Sequence, residues 1–452
     1  MKQTNNMGED PVLPLVLRLA IPTMLAQLVS VLYSIVDRMY IGVGVGDLAL
    51  AGVGVCGPIV TLLGSFASLV GLGGSPQMAM RMGEGNHKEA ERILSNSFLM
   101  LLALSAVLTT VFLLLKRHLL MWFGASEITF PFANTYLTII AAGTFFALLS
   151  AGMNSFLICQ GYPGLGMATV MLGAVLNIVL DPIFIFVLHL GVAGAAIATV
   201  LSQMVSCLFV LCALKRRSMP VQLHFGGFSR RIMTRIMMFG LSPFLIIASD
   251  SVLFIVLNTV LQRYGGPGEG DILVTCATIV QSYYLLICMP LGGITAGSQP
   301  IVSFNYGAAK PKRILSAIKV VVGLCLGFCL LMTIATYTLS PLFVRLFTSS
   351  TDIAPRAVYF IKIYTLMILP LAVQYALVDE ITAMGHLRLA LFCSMFRKGL
   401  FLAAVLLLPM LFGAQAVFFS EPIVDFTAAL LTSFLFLRYI PQRLQERVRS
   451  AV

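Results

Sequence analysis

The chain has 452 residues, of which 59% are hydrophobic and 10% charged, against roughly 25% charged in an ordinary soluble domain. A mean hydropathy of +0.97 and apolar runs of about twenty residues or more exclude an ordinary soluble protein and point to helices in lipid. The net charge of +11 sits in short loops between those runs, which fits membrane orientation rather than a nucleic-acid surface.

The amino terminus, Met1 to Asp10, is polar, and the apolar segment after it carries no small-residue cleavage site. No removable signal peptide is expected. Twelve runs are long enough to cross about 30 Å of hydrocarbon: Leu13 to Ile41, Leu50 to Ser75, Ile93 to Leu115, Phe132 to Cys159, Leu165 to Leu188, Val192 to Leu214, Ile236 to Leu261, Ile272 to Ser298, Ile314 to Leu339, Val358 to Thr382, Leu389 to Leu411 and Ala414 to Leu437. The closely joined pairs around His189 and Gly413 invite misreading as single helices.

In chain order, the first span carries Tyr33 and Asp37 towards its outer end, with Arg38 beside the acid. An interfacial Asp–Arg pair is the plain reading, though adjacent residues point to different helical faces. Gly42, Gly44 and Gly46, like Gly71 to Gly74, precede no lysine and follow no strand, so they suit helix contacts or breaks rather than a nucleotide loop. The fifth span holds Asp181 deep in its apolar run, Asn177 four residues earlier on the same face, and Pro182, which removes a helical donor. A carboxylate, an amide oxygen and a loosened backbone suit a small hard cation. Desolvation also favours a proton on the same carboxylate. In a purely structural reading Asn177 and a protonated Asp181 bond only to each other and the backbone. Thr199, in the small-residue run of the sixth span, offers a hydroxyl.

Residues 215–239 read as a cytoplasmic linker, its end, Ser229 to Met237, separating apolar and basic residues on two helical faces in the manner of a surface helix. In the second half the intramembrane acids are Asp250, Asp379, Glu380, Glu421 and Asp425. With Asp37 and Asp181 they make seven of the eighteen acidic residues, each costly in lipid unless paired, hydrated or neutralised. Glu421 and Asp425 share a face, whereas Asp379 and Glu380 diverge. They attract cationic substrates in one reading and pair with Arg397 and Lys398 in the other. Tyr33, Tyr283, Tyr284 and Phe304, with some of the 23 methionines, offer a deformable cation-π surface or simply pack helices. The nine cysteines have no metal-site spacing and read as small hydrophobes. The five histidines are scattered, so no metal site is expected. No serine–histidine–acid or paired-aspartate motif suggests an enzyme.

With a cytoplasmic amino terminus, twenty Lys and Arg fall in inner segments and six in outer loops. That bias places both termini in the cytoplasm. The halves repeat: Arg92-Ile93-Leu94-Ser95 recurs as Arg313-Ile314-Leu315-Ser316, Pro22 answers Pro243, and Gln77 answers Gln299. Six spans return the chain to its starting side, so the repeat is parallel, with its axis along the membrane normal. The expected architecture is all-α: an N-terminal lobe (1–214), the linker (215–239), a C-terminal lobe (240–437) and a basic tail (438–452), the two six-helix bundles flanking a central cavity.

The set Ile21-Pro22, Val36-Asp37 and Ile41-Gly42, Gln160-Gly161, Asn177-x-x-x-Asp181-Pro182 and Gly194-Ala195-Ala196-x-Ala198-Thr199 resembles the MATE family of multidrug and toxic compound extrusion transporters, in its bacterial DinF-like and MepA-like branch. The resemblance covers nearly the whole chain. It implies an antiporter of the bacterial cytoplasmic membrane that exports organic cations in exchange for sodium ions or protons and needs no cofactor. It further implies a cation site at Asp37, Asn177, Asp181 and Thr199. The repeat answers Asp37 with Asn258, and Asn177 and Asp181 with apolar residues near Phe401 and Val405, which confines those acids to the first half. A complete cavity in one chain is expected to function as a monomer. The rival reading is a flippase for lipid-linked precursors, which needs cations facing a pyrophosphate.

Overall fold

A computed structural model describes residues 6–123, 127–266, 269–348 and 350–451; Lys2 and the side chain of Arg38 lie outside them. The first half holds α1 (Val12–Val45), α2 (Asp47–Gly83), α3 (His87–Trp122), α4 (Phe130–Ala142), α5 (Thr144–Cys159), α6 (Pro163–Pro182), a π-helical turn (Ile183–Val187) and α7 (Gly191–Leu214). The second holds α8 (Arg230–Gly265), α9 (Glu269–Gly307), α10 (Pro311–Arg345), α11 (Ile353–Tyr364), α12 (Ile368–Ala383), α13 (Leu387–Phe412), a 3-10 turn (Ala414–Phe419) and α14 (Ser420–Ala451). No strand occurs among the described residues. Helices satisfy every interior backbone donor within one segment, which lipid demands.

Ten of these elements are long and apolar enough to cross a membrane, and two bent pairs bring the spans to twelve. The pair α4 and α5 bends by 56° and the pair α11 and α12 by 50°. The breaks, at Gly143 and Thr365, occupy equivalent places in the repeat. So do Gly191 and Gly413, at φ of 57° and 85°, where the chain reverses before the last span of each half in a left-handed conformation that favours glycine.

Two hydrophobic cores form. One runs from the far end of α1 through α7 and takes in Met219, Val221 and Leu223. The other is built by α8 to α14 and also includes Leu15, Val16, Leu19 and Ala20. The first turns of α1 are therefore shared into the second half's core, which a division at 214 and 240 does not convey. Residues 230–237, the stretch with an amphipathic pattern, are the first turns of the continuous α8, and residues 438–451 continue α14.

The halves meet along α1 with α9 and along α2 with α8. Glycines make this approach possible: a Cβ at Gly240 would overlap the carbonyl of Leu69, one at Gly307 that of Met80, and one at Gly297 the α1 backbone at Leu19. These seams lie towards the face carrying both described chain ends. On that face Asn305 Nδ2 donates to the Met7 carbonyl at 2.9 Å and Lys310 Nζ to the Gly8 carbonyl at 3.0 Å. Arg447 of α14 reaches the other way, to Glu84 of the first half (2.5 Å) and to the carbonyl of Tyr306 (3.2 Å).

Candidate functional site

Three helices of the first half converge on the buried acid of α6. Asp181 is 0% exposed and Asn177, one turn earlier, 2%. Pro182 follows, and the helix widens at once into the π-helical turn Ile183–Val187, as expected where a proline withholds a donor. Gly44 of α1 and Gly194 of α7 close on this irregular turn; a Cβ at Gly44 would collide with Ile185 and Phe186, and one at Gly194 with the backbone of Phe184. That packing brings Asp37 from α1 and Thr199 from α7 to the site.

Asn177 Nδ2 donates to Asp181 Oδ1 at 3.2 Å and to Thr199 Oγ1 at 3.3 Å. Asp37 lies within hydrogen-bonding reach of Asp181, and Tyr33, one turn before Asp37, is close enough to feel both charges. Asn177 Oδ1 and Asp181 Oδ2 are buried without a hydrogen-bond partner, and Asp181 makes no ion pair among the described residues. Unsatisfied buried acceptors are rare because each costs desolvation energy. Chemically the cluster is a set of oxygen acceptors, two of which lack a hydrogen-bond donor. All four residues singled out from the sequence come together here. Tyr33, read there as a cavity aromatic, stands beside them; its four-residue spacing from Asp37 was the available signal.

Among the acids of the second half Asp425 and Glu380 also keep one buried oxygen each without a hydrogen-bond partner, but basic side chains stand against Glu421, Asp425 and Asp250. Arg397 of α13 is buried between Glu421 and Asp425 of α14, with Nη2 at 2.8 Å from Asp425 Oδ1 and an ion pair to Glu421. Tyr284 Oη donates to Glu421 Oε1 at 2.6 Å and accepts from Arg397 at 3.0 Å. Asp250, more than half exposed, pairs with Lys398. Asp379 and Glu380 diverge: the first lies beside Thr295, and the second accepts from Ser298 at 3.0 Å. The structure thus places Tyr284, Glu421 and Asp425 in one ionic cluster, Asp250 in a second pair, and Asp379 and Glu380 against hydroxyls of α9.

A duplicated twelve-span chain with a central seam and buried acids defines the class: a two-lobed membrane transporter, not an enzyme. The MatE family profile matches residues 22–183 and 244–407, once in each half, and the chain belongs to that family. It is similar to the multidrug export protein MepA of Staphylococcus haemolyticus, 25% identical over 430 residues and 94% of each chain, and to that of Staphylococcus aureus (strain MSSA476), 24% identical over 93% of each. A solved multidrug resistance MATE family transporter of the MOP superfamily, in its outward-facing conformation, matches with a TM-score of 0.91 at 25% identity over 99% of both chains. A MOP superfamily transporter from Pyrococcus furiosus shares the fold at 24% identity, with a TM-score of 0.91, over 98% of this chain and 100% of that one.

Proposed function

We propose that this transporter exports organic cations in exchange for an inward-moving proton or sodium ion bound by Asp37, Asn177, Asp181 and Thr199. The observation that carries the reading is the pair of buried, unpartnered oxygens, Asn177 Oδ1 and Asp181 Oδ2, beside a second carboxylate. A proton shared by two carboxylates or a monovalent cation held by oxygen ligands completes such a set. The similarity to staphylococcal multidrug export proteins supports drugs as cargo.

Antiport requires that ion and drug favour different lobe arrangements. The coupling is reciprocal: a tenfold weakening of drug binding by the ion, about 1.4 kcal/mol, is matched by the same weakening of ion binding by the drug. An ion entering down −100 mV releases about 2.3 kcal/mol per charge, enough to hold a substantial drug gradient. The basic bias of the loops supports a cytoplasmic membrane location with both termini inside. In that orientation the glycine seams lie towards the inner side. The chain acts as a monomer, since each molecule contains both lobes. A lipid-pyrophosphate flippase is disfavoured, because Arg397 and Lys398 are each engaged by carboxylates.

The test is efflux of a fluorescent organic cation from vesicles holding the protein, under imposed proton or sodium gradients. One gradient should drive transport. Asp181→Asn should abolish the gradient-driven component while inserting and folding as before, and normal coupled transport by that variant would overturn the assignment.

A further inference from the structure

The second half carries a cleft of about 730 Å³ between the loop after α12 and the helices α13 and α14, on the face where the chain ends lie. Its lining divides along the helices. Phe392 and Leu435 are apolar and lie farther along from the terminus face; His386, Arg388, Tyr439 and Arg443 lie nearer to it. We propose that this cleft binds an anionic phospholipid, its phosphate held by Arg388 and Arg443 and an acyl chain laid along Phe392 and Leu435.

Four observations carry the assignment. Arg388 is exposed and has no carboxylate partner among the described residues. Arg443 spends one nitrogen on Glu446, at 2.8 Å, in a solvent-exposed pair, and keeps its remaining donors. The 26-residue α13 begins at the cleft without a side-chain cap, so its first-turn amides and helix dipole favour an anion there. His386, which precedes that first turn, buries its Nε2 atom without a partner. Basic side chains above an apolar groove at the membrane interface match the chemistry of an acidic lipid headgroup and its chain, whereas an organic cation would meet like charge.

The repeat supplies an independent argument. The equivalent place in the first half follows Gly161, whose φ of 88° answers the 81° of Gly385. There the chain fills the groove itself. After α7 it turns back, buries Met219, Val221 and Leu223, donates from the Val221 amide to Gln160 Oε1 at 2.9 Å and accepts from Tyr162 Oη at the Ser218 carbonyl at 3.2 Å. The second half has no such return: α14 continues as helix to Ala451, and among the described residues no segment lies over the matching groove in that way. The groove lies where lipid is the available filler.

The site also abuts the contacts between the lobes. Arg443 is one turn before Arg447, which bonds Glu84 of the other lobe, and the ring of His386 meets that of Tyr306 edge-on at 5.8 Å. A bound lipid therefore rests one helical turn from Arg447, which ties the second lobe to Glu84 of the first.

The experiment uses the full-length protein in nanodiscs of equimolar dioleoyl-phosphatidylglycerol and dioleoyl-phosphatidylcholine, with co-retained lipid counted by native mass spectrometry. Phosphatidylglycerol should be enriched several-fold among lipids that stay bound, and Arg388→Gln with Arg443→Gln should remove most of that enrichment, roughly tenfold in affinity. Arg216→Gln with Arg217→Gln, which neutralises two linker residues on the same face, should leave it intact. Equal retention of the two lipids by the wild-type protein would overturn the proposal whatever the variants do. So would equal loss in both double variants, which indicates a diffuse surface charge. Displacement of the lipid by deacylated glycerophosphoglycerol at matched concentration would also overturn it, by reducing the site to one for a free anion.

Discussion

The two lobes repeat one architecture and each buries acids, yet they treat Asp181 and Asp425 differently: Asp425 meets a buried guanidinium, whereas Asp181 makes no ion pair among the described residues. In the second, Arg397 is sandwiched by Glu421 and Asp425, Lys398 holds Asp250, and Ser298 holds one oxygen of Glu380. In the first, Asn177 bridges Asp181 and Thr199 with Asp37 alongside, and Asn177 Oδ1 and Asp181 Oδ2 go without a hydrogen-bond partner, with no ion pair to Asp181 among the described residues. Buried charge that is paired internally is spent on structure; charge left short of a partner can take one from outside. Where the family's scaffold is the same, the presence of a fixed guanidinium separates a structural cluster from a binding one.

The contrast can be broken by measuring stability. Arg397→Met strands two carboxylates and should cost about 3–5 kcal/mol, seen as a large fall in Tm in detergent; adding Glu421→Gln and Asp425→Asn to it should recover most of the loss. If the single variant is as stable as the wild type, the second lobe's cluster is not internally compensated. Asn177→Ala removes the donor to Asp181 and Thr199 and should cost about 1–2 kcal/mol, with thermal unfolding as the readout; an unchanged Tm would mean that those two bonds do not hold the site. Arg447→Gln removes an inter-lobe pair that is about a quarter exposed on both sides. It should shift the balance of lobe arrangements by about 0.5–1 kcal/mol, measurable as a change in spin-label distances across the terminus face. Asp181→Asn should change stability least, by under about 0.5 kcal/mol, because it replaces with a neutral isostere an acid that makes no ion pair among the described residues. A large destabilisation there would erase the distinction between the lobes.

Much of this was legible in the sequence. The spans follow from run length, the repeat from Arg92 to Ser95 and its echo, and the acid cluster from the depth of Asp181 and the four-residue spacing of Asn177. The bends at Gly143 and Thr365 were not, because a single residue inside an apolar run leaves hydropathy unchanged. The sorting of the second-half acids was left open between two readings, since pairing with Arg397 depends on how α13 and α14 rotate against each other. Least visible were the ties on the terminus face, such as Glu84 with Arg447, which join residues far apart in sequence and belong to no periodic pattern. The burial of Met219, Val221 and Leu223 did leave a trace, an alternation of apolar residues within the basic linker.

The early part of the chain is fastened to its late part. Asn305, Lys310 and Arg313 clasp Met7 and Gly8 across separations of 298 to 306 residues. During synthesis at about 5–20 residues per second, the leading segment must wait some 15–60 s for those partners to emerge from the ribosome. Until then the start of α1 lacks its proper neighbours, and the first bundle must insert and hold together without them. Completion of the molecule is thus a ring closure, made only after the second bundle has been translated, and a nascent chain stopped short of α10 should leave its leading end open to protease.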